Sequence, residues 1–210
     1  MSESKLKFPT EIVELPSKGI VYPKENPLSS GKIEMKYMTA REEDILTNQS
    51  YISNGTVLDK LLETLIVSKI NYNDLIVGDK NALLIAARIL GYGNDYEFTY
   101  RNEKVKVDLS ILDNKKLDKK QFEQGKNEFN FKLPKSETLI TFKLLTHGDE
   151  QKIDKELKGL RKINPKASVE LSTRLKYIIT SVDGSSEKKD VRDFVDNYFL
   201  AQDSRAFRNY

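Results

Sequence analysis

The sequence predicts an α+β fold in which small antiparallel hairpins combine with amphipathic helices and a C-terminal helical bundle. Short segments of alternating apolar and polar residues indicate strands, and segments with apolar residues three and four positions apart indicate helices. The two patterns follow one another without a repeated strand–helix–strand unit, which excludes a parallel sheet. Helical patterns dominate the last third of the chain, and we expect the bundle there.

The predicted organisation has three parts. An extended arm spans residues 1–31, an α+β domain spans 32–112, and a hairpin plus helical bundle spans 121–210. Residues 113–120 are rich in Lys, Asp and Asn, and they are the expected linker. A continuous helix is excluded in the arm by three prolines and one glycine, which are Pro16, Pro23, Pro27 and Gly19. Proline breaks a helix because it lacks an amide donor and fixes φ.

The α+β domain begins with a strand in which Ile33, Met35 and Tyr37 alternate with charged residues. Thr39 and Glu42 then have the spacing of a capping box, which predicts a helix start. A second helix after Gly55 has a broad leucine face. Asp79 is the expected cap of a third helix, over 80–91, whose many apolar residues predict burial on most sides, Ile85 included.

Two hairpins are predicted. The first has Tyr96, Phe98 and Tyr100 on one strand and ends in a polar tip. Its aromatic residues fit a core or sheet face better than a base-stacking platform, since basic residues do not interleave with them. The second pairs segments 128–133 and 138–145. Helical patterns follow over 153–160, 171–182 and 191–199, and Ser204 is the expected cap of a last helix.

Composition excludes several functional classes. The 210 residues include 35 Lys and Arg and 32 Asp and Glu, with both signs interspersed, so we expect no nucleic-acid partner. The chain has no cysteine, which excludes disulfides, thiolate metal sites and thiol nucleophiles. It has no apolar run of roughly 20 residues and no signal-peptide pattern, so we expect no membrane segment.

Candidate catalytic residues are few. We therefore expect that the protein is not an enzyme and that it has no cofactor or metal site. His147 is the single histidine and precedes a helix start, where a structural role explains it without zinc. The acidic run Glu42-Glu43-Asp44 could bind Mg²⁺ or Ca²⁺, but helix capping accounts for it. Gly91-Tyr92-Gly93 follows a helix instead of a strand, which argues against a dinucleotide-binding loop.

The hook of the arm, residues 15–27, is the predicted partner-binding element. It carries apolar side chains but is too short to build a core, so it must pack on its own chain or on a neighbouring subunit. Both alternatives are open from the sequence. If a partner binds, the anchors are expected to be Leu15, Ile20, Val21 and Tyr22.

Four blocks carry a resemblance to a known family. They are LPSKG followed by SGKIEMKYMTAREEDILTN, then LLTHGDEQKIDKELKGL, TRLKYIITSVDG and RDFVDNYFLAQDSRAFRNY. In this order, the chain resembles the baseplate hub and hub assembly proteins of T-even-type contractile bacteriophages. Some relatives carry a Cys-x-x-Cys pair near the first hairpin, which this chain lacks, so no zinc site is carried over.

The resemblance implies a non-enzymatic structural component or assembly factor that acts through protein–protein contacts. Its expected partners are other baseplate hub or tail proteins, including the tape-measure protein. Its expected location is the virion, in the tail baseplate, or the host cytoplasm during assembly. The alternative is a transient chaperone of the tape-measure or hub proteins that is absent from the mature particle.

Overall fold

The structure is a computed structural model that describes residues 8–112, 117, 122–165 and 168–210. It confirms the α+β fold, with three small antiparallel sheets in the described residues. The strands are β1 (Thr10–Glu14), β2 (Lys32–Lys36), β3 (Asp95–Tyr100), β4 (Glu103–Asp108), β5 (Phe129–Lys132), β6 (Leu139–Phe142) and β7 (Ile179–Val182). The helices are α1 (Ala40–Thr47), α2 (Gln49–Asn54), α3 (Val57–Leu65), α4 (Val77–Tyr92), α5 (His147–Ile163), α6 (Glu170–Ile178), α7 (Lys188–Asp193) and α8 (Ala201–Asn209).

The chain divides into two compact units. The first contains the described residues up to Tyr72 together with Gly78–Gly125, and the second contains Asn73–Val77 and Lys126–Tyr210. The described residues of the predicted arm, 8–31, fall within the first unit. The predicted linker, 113–120, lies outside the described residues except for Leu117.

In the first unit, β1 and β2 form an antiparallel pair that runs from Thr10 opposite Lys36 to Glu14 opposite Lys32. Ile33 and Met35 of β2 are fully buried, as the predicted alternation requires, but the strand ends at Lys36 and Tyr37 is exposed, so that part of the prediction was wrong. The predicted capping box is also confirmed at the start of α1. The buried leucine face of α3, Leu61, Leu62 and Leu65, contributes to the core of this unit.

Helix α4 begins at Val77, so Asp79 is its third residue and not its cap. The Asp79 carboxylate is 0 % exposed and accepts three hydrogen bonds from the hook. Two come from Ser17, through its amide at 3.0 Å and its hydroxyl at 2.7 Å, and the third comes from the Tyr22 hydroxyl at 2.7 Å. The cap prediction was wrong because this side chain binds a distant segment instead of the amides of its own helix.

Helix α4 is buried on one side only, and the prediction that it is buried on most sides was wrong. Leu83 and Ala87 are buried, whereas Ile85 is 39 % exposed. Successive residues of a helix are rotated by about 100°, so a run of apolar residues cannot all face one core.

In the second unit, β5, β6 and β7 form a three-stranded sheet in that order. The segment 179–182 was expected to continue a helix but forms β7, which pairs with β6 from Ile140 opposite Val182. A turn with Asp183 and Gly184 in the left-handed region follows, and the Asp183 amide donates to the Leu139 carbonyl at 2.8 Å. The core consists of Leu133, Ile140, Leu175, Ile179, Val191, Phe194, Val195 and Phe207.

The last helix of the second unit holds the turn between β5 and β6. Helix α8 begins at Ala201, so Ser204 lies inside it and is not its cap as expected. Asp203, the third residue of α8, is 0 % exposed and accepts hydrogen bonds from the amides of Lys135 at 2.7 Å and Ser136 at 3.0 Å.

Both units therefore use the same construction. In each unit a fully buried leucine, Leu15 or Leu133, precedes a proline. The amide of this leucine donates to the carbonyl of the residue just before the next strand, which is Gly31 in the first unit and Thr138 in the second. The amide of the residue after that proline then donates to a buried aspartate, the third residue of a later helix. This shared arrangement fixes the path of the chain between the paired strands.

We predict that replacing Tyr22 with Phe destabilises the protein by about 1–3 kcal/mol, because it removes one donor from a buried carboxylate. Tyr37→Phe is the matched control, since the Tyr37 hydroxyl also donates to a carboxylate, Glu11, at 2.8 Å but at the surface. The control should cost less than about 0.5 kcal/mol. Urea unfolding measures both, and equal effects would contradict a special role for Asp79.

We also predict that Leu83→Ala costs about 2–5 kcal/mol, because it opens a cavity at a fully buried position. Ile85→Ala should cost less than about 1 kcal/mol, since Ile85 is half-exposed on the same helix. Thermal unfolding of the two variants compares them directly. A larger loss of stability for Ile85→Ala than for Leu83→Ala would contradict the conclusion that Leu83 lies on the buried side of α4.

Candidate functional site

The strongest candidate site is an exposed aromatic surface on the first hairpin. Tyr96, Phe98 and Tyr100 alternate along β3, so their side chains lie on one face of the two-stranded sheet. They are 38 to 57 % exposed, and the rings of Tyr96 and Phe98 are 5.7 Å apart between centroids. With Tyr92, Arg88 and Arg101, they form what we call the aromatic hairpin face.

Two arginines stack on this face. The guanidinium carbon of Arg88 lies 5.1 Å from the ring centroid of Tyr92 and 5.6 Å from that of Tyr96. Its terminal nitrogens also donate to the carbonyls of Gly93 and Asp95, each at 3.1 Å, which ties the base of the hairpin to α4. Arg101 lies 5.2 Å above Tyr100. Such cation–π contacts hold the rings in defined positions.

The turn keeps the two strands in a regular register. Arg101 and Asn102 both have positive φ, 49° and 67°, as the tight two-residue hairpin turn requires. Tyr96 therefore lies opposite Val107, Phe98 opposite Val105, and Tyr100 opposite Glu103. The other face is charged and carries an exposed ion pair between Lys106 and Asp95 at 2.7 Å. The hairpin thus has one apolar and one charged face.

The physical consequence is a surface suited to contact with another molecule. A two-stranded hairpin is marginal in water when it stands alone, and every residue of β3 is exposed. Tyrosine and arginine are also the residue types that most often dominate the binding energy of protein interfaces. Two more apolar side chains, Ile111 and Leu112, are exposed just after the hairpin.

The hook residues predicted to bind a partner lie mainly inside the first unit. Leu15, Val21 and Tyr22 are buried, and Ile20 is half-buried while its carbonyl accepts from the Gly125 amide at 2.7 Å. The structure brings Tyr22 to Asp79, as described above. Partner binding through these four residues stays a prediction, and in this fold three of their side chains pack against their own chain.

The acidic run considered as a metal site is used for structure. Glu42 is buried, and its carboxylate accepts from the Thr39 hydroxyl at 2.6 Å, the Thr39 amide at 3.0 Å and the Lys36 ammonium at 2.9 Å. Glu43 and Asp44 are exposed. Throughout residues 8–112, 117, 122–165 and 168–210, no group of three or more acidic or histidine side chains could hold a metal ion.

The histidine is also part of the protein interior. His147 is buried at the first position of α5, and its amide donates to the Leu75 carbonyl at 2.7 Å. Its ring Nε2 is 3.0 Å from the side-chain nitrogen of Gln151. The capping box of α5 is formed by the neighbouring Thr146 and Asp149.

The sequence interpretation assigned these rings to a core or sheet face, and they do share a sheet face, but it did not predict that this face is exposed. The signal was present in the Tyr-x-Phe-x-Tyr alternation, but alternation shows only that the rings share a face. Whether another layer covers that face depends on tertiary structure. The position of Arg88, one helix earlier in the chain, also could not be read from the pattern of β3.

No family model matches the chain, and no curated protein or solved structure matches it either. No helix in the described part of the chain combines the length and apolar composition needed to cross a membrane.

We predict that Glu42 makes the stability depend on pH in the acid range. Burial alone would raise the pKa of the Glu42 carboxyl, but hydrogen bonds from Thr39 and Lys36 outweigh it and lower the pKa from 4.5 to about 2. The stabilisation is therefore complete above about pH 4.5 and is lost as the pH falls toward 2. Glu42→Gln should reduce this dependence and cost about 1–3 kcal/mol at neutral pH.

Urea midpoints measured between neutral and acid pH would show the difference. Glu43→Gln is the control, since Glu43 is exposed on the same turn. An unchanged pH dependence in Glu42→Gln would contradict the assigned role.

Proposed function

We propose that this protein is a non-enzymatic component or assembly factor of the baseplate hub of a contractile bacteriophage tail, and that it acts by binding other tail proteins. The observation that carries the contact role is the exposed aromatic hairpin face. The four sequence blocks that resemble the hub assembly family support the assignment to the tail. The expected partners are hub and tail proteins, including the tape-measure protein.

The hairpin is assigned as the contact element because it adds no side chain to the buried core of its unit. The construction shared by the two units ends with the helix that carries the buried aspartate, which is α4 in the first unit. The hairpin follows α4 and adds exposed apolar side chains without adding to the buried core. Side chains that cost solubility and do not contribute to the core are best explained by a partner that covers them.

The contact mode follows from the geometry of this face. The rings of Tyr96, Phe98 and Tyr100 supply apolar area, and the phenol groups of the two tyrosines supply hydrogen bonds at the rim. Arg88 and Arg101 are already stacked on the rings, so less side-chain freedom is lost when a partner binds. The hook contributes indirectly in this proposal, because its buried residues shape the unit that carries α4 and the hairpin.

A structural component and a transient chaperone make different predictions for the mature particle. Mass spectrometry of purified virions would find the protein in the first case and would find it only in the infected-cell lysate in the second. Either result fits an assembly role through protein contacts.

We predict that the double variant Tyr96→Ser/Tyr100→Ser folds normally but loses its tail partners. Each lost ring should weaken binding by about 1–3 kcal/mol if it is a central contact. Co-purification of tagged protein from infected cells, followed by identification of the bound tail proteins, is the measurement. The matched control is Thr99→Ala/Lys104→Ala, on the charged face of the same hairpin. Equal recovery of tail proteins by both variants would refute the role of the aromatic face.

A further inference from the structure

The outer edge of β3 carries backbone groups that none of the seven described strands satisfies. The Leu109 amide donates to the Asn94 carbonyl at 2.9 Å, which extends the hydrogen-bonded pairing of the hairpin by one step. In an antiparallel pair, every second residue exchanges hydrogen bonds with its partner. The backbone groups of Tyr96, Phe98 and Tyr100 therefore face β4, and those of Asp95, Glu97 and Thr99 point away from it.

Only part of this edge is open. Arg88 donates to the Asp95 carbonyl and so closes the edge at the base of the hairpin. Within the residues that the structure describes, no hydrogen bond reaches the outward backbone groups of Glu97 and Thr99. Such unpaired groups on an exposed strand are a template for another strand.

The edge of β3 is also less protected than the edge of β4. Strand β4 carries Lys104 and Lys106, and lysines on an edge strand oppose pairing with another strand. Between residues 96 and 100, β3 carries three aromatic residues, one threonine and one glutamate, and no lysine. A further strand is therefore expected on the β3 side.

We infer that β3 pairs antiparallel with β3 of a second copy of this chain, in a register centred on Phe98. In this register Glu97 lies opposite Thr99 of the second copy, so all the open backbone groups of both copies are paired. The inference rests on the proposed role of the hairpin as a contact surface and names a second copy of the chain as one partner. The product is a four-stranded sheet with a continuous aromatic face.

The aromatic side chains support this register. Phe98 lies opposite Phe98 of the second copy, and Tyr96 lies opposite Tyr100. These are pairs without mutual hydrogen bonds, in which the facing side chains come closest. Cross-strand aromatic pairs are favourable contacts within a sheet. A two-fold axis through Phe98 makes the same surface serve both copies, as closed dimers require.

The neighbouring registers are worse. A register centred on Glu97 places two glutamates opposite one another, and it deprives Thr99 of its partner in the Phe98-centred register, Glu97 of the second copy. A register centred on Thr99 pairs the two threonines. It leaves the outward backbone groups of Glu97 with no open backbone group of the second copy opposite them. Charge and hydrogen bonding therefore both select Phe98 as the centre.

Sedimentation of the full-length protein over a wide concentration range tests the inference. The wild type should form a dimer, and Phe98→Lys should raise its dissociation constant by roughly 100-fold or more, because the change enters the interface twice. Mixing Phe98→Lys with Phe98→Glu should restore a dimer, since opposite charges then face each other. A monomeric wild type, or a Phe98→Lys variant that dimerises normally, would overturn the inference.

The register can be read by disulfide formation, since the chain contains no cysteine. Phe98→Cys should cross-link rapidly under mild oxidation, because facing residues of paired strands are within disulfide distance. Glu97→Cys and Thr99→Cys report the two neighbouring registers and should cross-link slowly. Faster cross-linking of either would place the centre of the pairing elsewhere and overturn the assigned register.

These results separate the inference from the proposed function. If the wild type is monomeric but Tyr96→Ser/Tyr100→Ser still loses its tail proteins, the self-pairing is wrong and the proposed function stands. If the dimer forms as described but the same variant still recovers its tail proteins, the proposed contact with tail proteins is wrong. Circular dichroism of each variant confirms that the fold is intact before either conclusion is drawn.

Discussion

A buried aspartate near the start of a late helix is the contact on which each compact unit depends. Asp79 and Asp203 are fully buried, and each is surrounded by donors from a segment far earlier in the chain. A buried carboxylate without donors would cost several kcal/mol, so the chain must bring these amides to it. The path after each Leu-Pro pair is therefore fixed by a side chain more than sixty residues away.

A second shared device joins strand to helix. In the first unit, Lys36 bonds the buried carboxylate of the capping box at 2.9 Å, and in the second unit Lys143 bonds Asp149 at 2.7 Å. Each lysine lies three residues before the capping threonine. Burial opposes the effect, but the hydrogen bonds from Lys143 and Thr146 lower the pKa of Asp149, as the equivalent bonds do for Glu42. Both helix starts are therefore held by a lysine at the end of the preceding strand or directly after it.

With the interior organised in this way, the location of the remaining apolar residues decides what the molecule can do. The hook, which is extended and rich in proline, provides buried side chains to its own unit. The hairpin is regular and well paired, yet it places its aromatic rings in solvent. Regular secondary structure and burial are thus separate properties, and only exposure identifies a surface that another protein can bind.

The sequence alone determined the local structure: the α+β class, the capping box at Thr39, and both hairpins follow from spacing and alternation, which depend on neighbouring residues. Tertiary structure decided the rest. In the folded protein, the Asp79 carboxylate binds the hook instead of capping its own helix, Ile85 is exposed, and residues 179–182 form a strand. It also left Tyr96, Phe98 and Tyr100 uncovered. Each outcome depends on which distant segment packs against a residue, and periodicity along the chain carries no information about that choice.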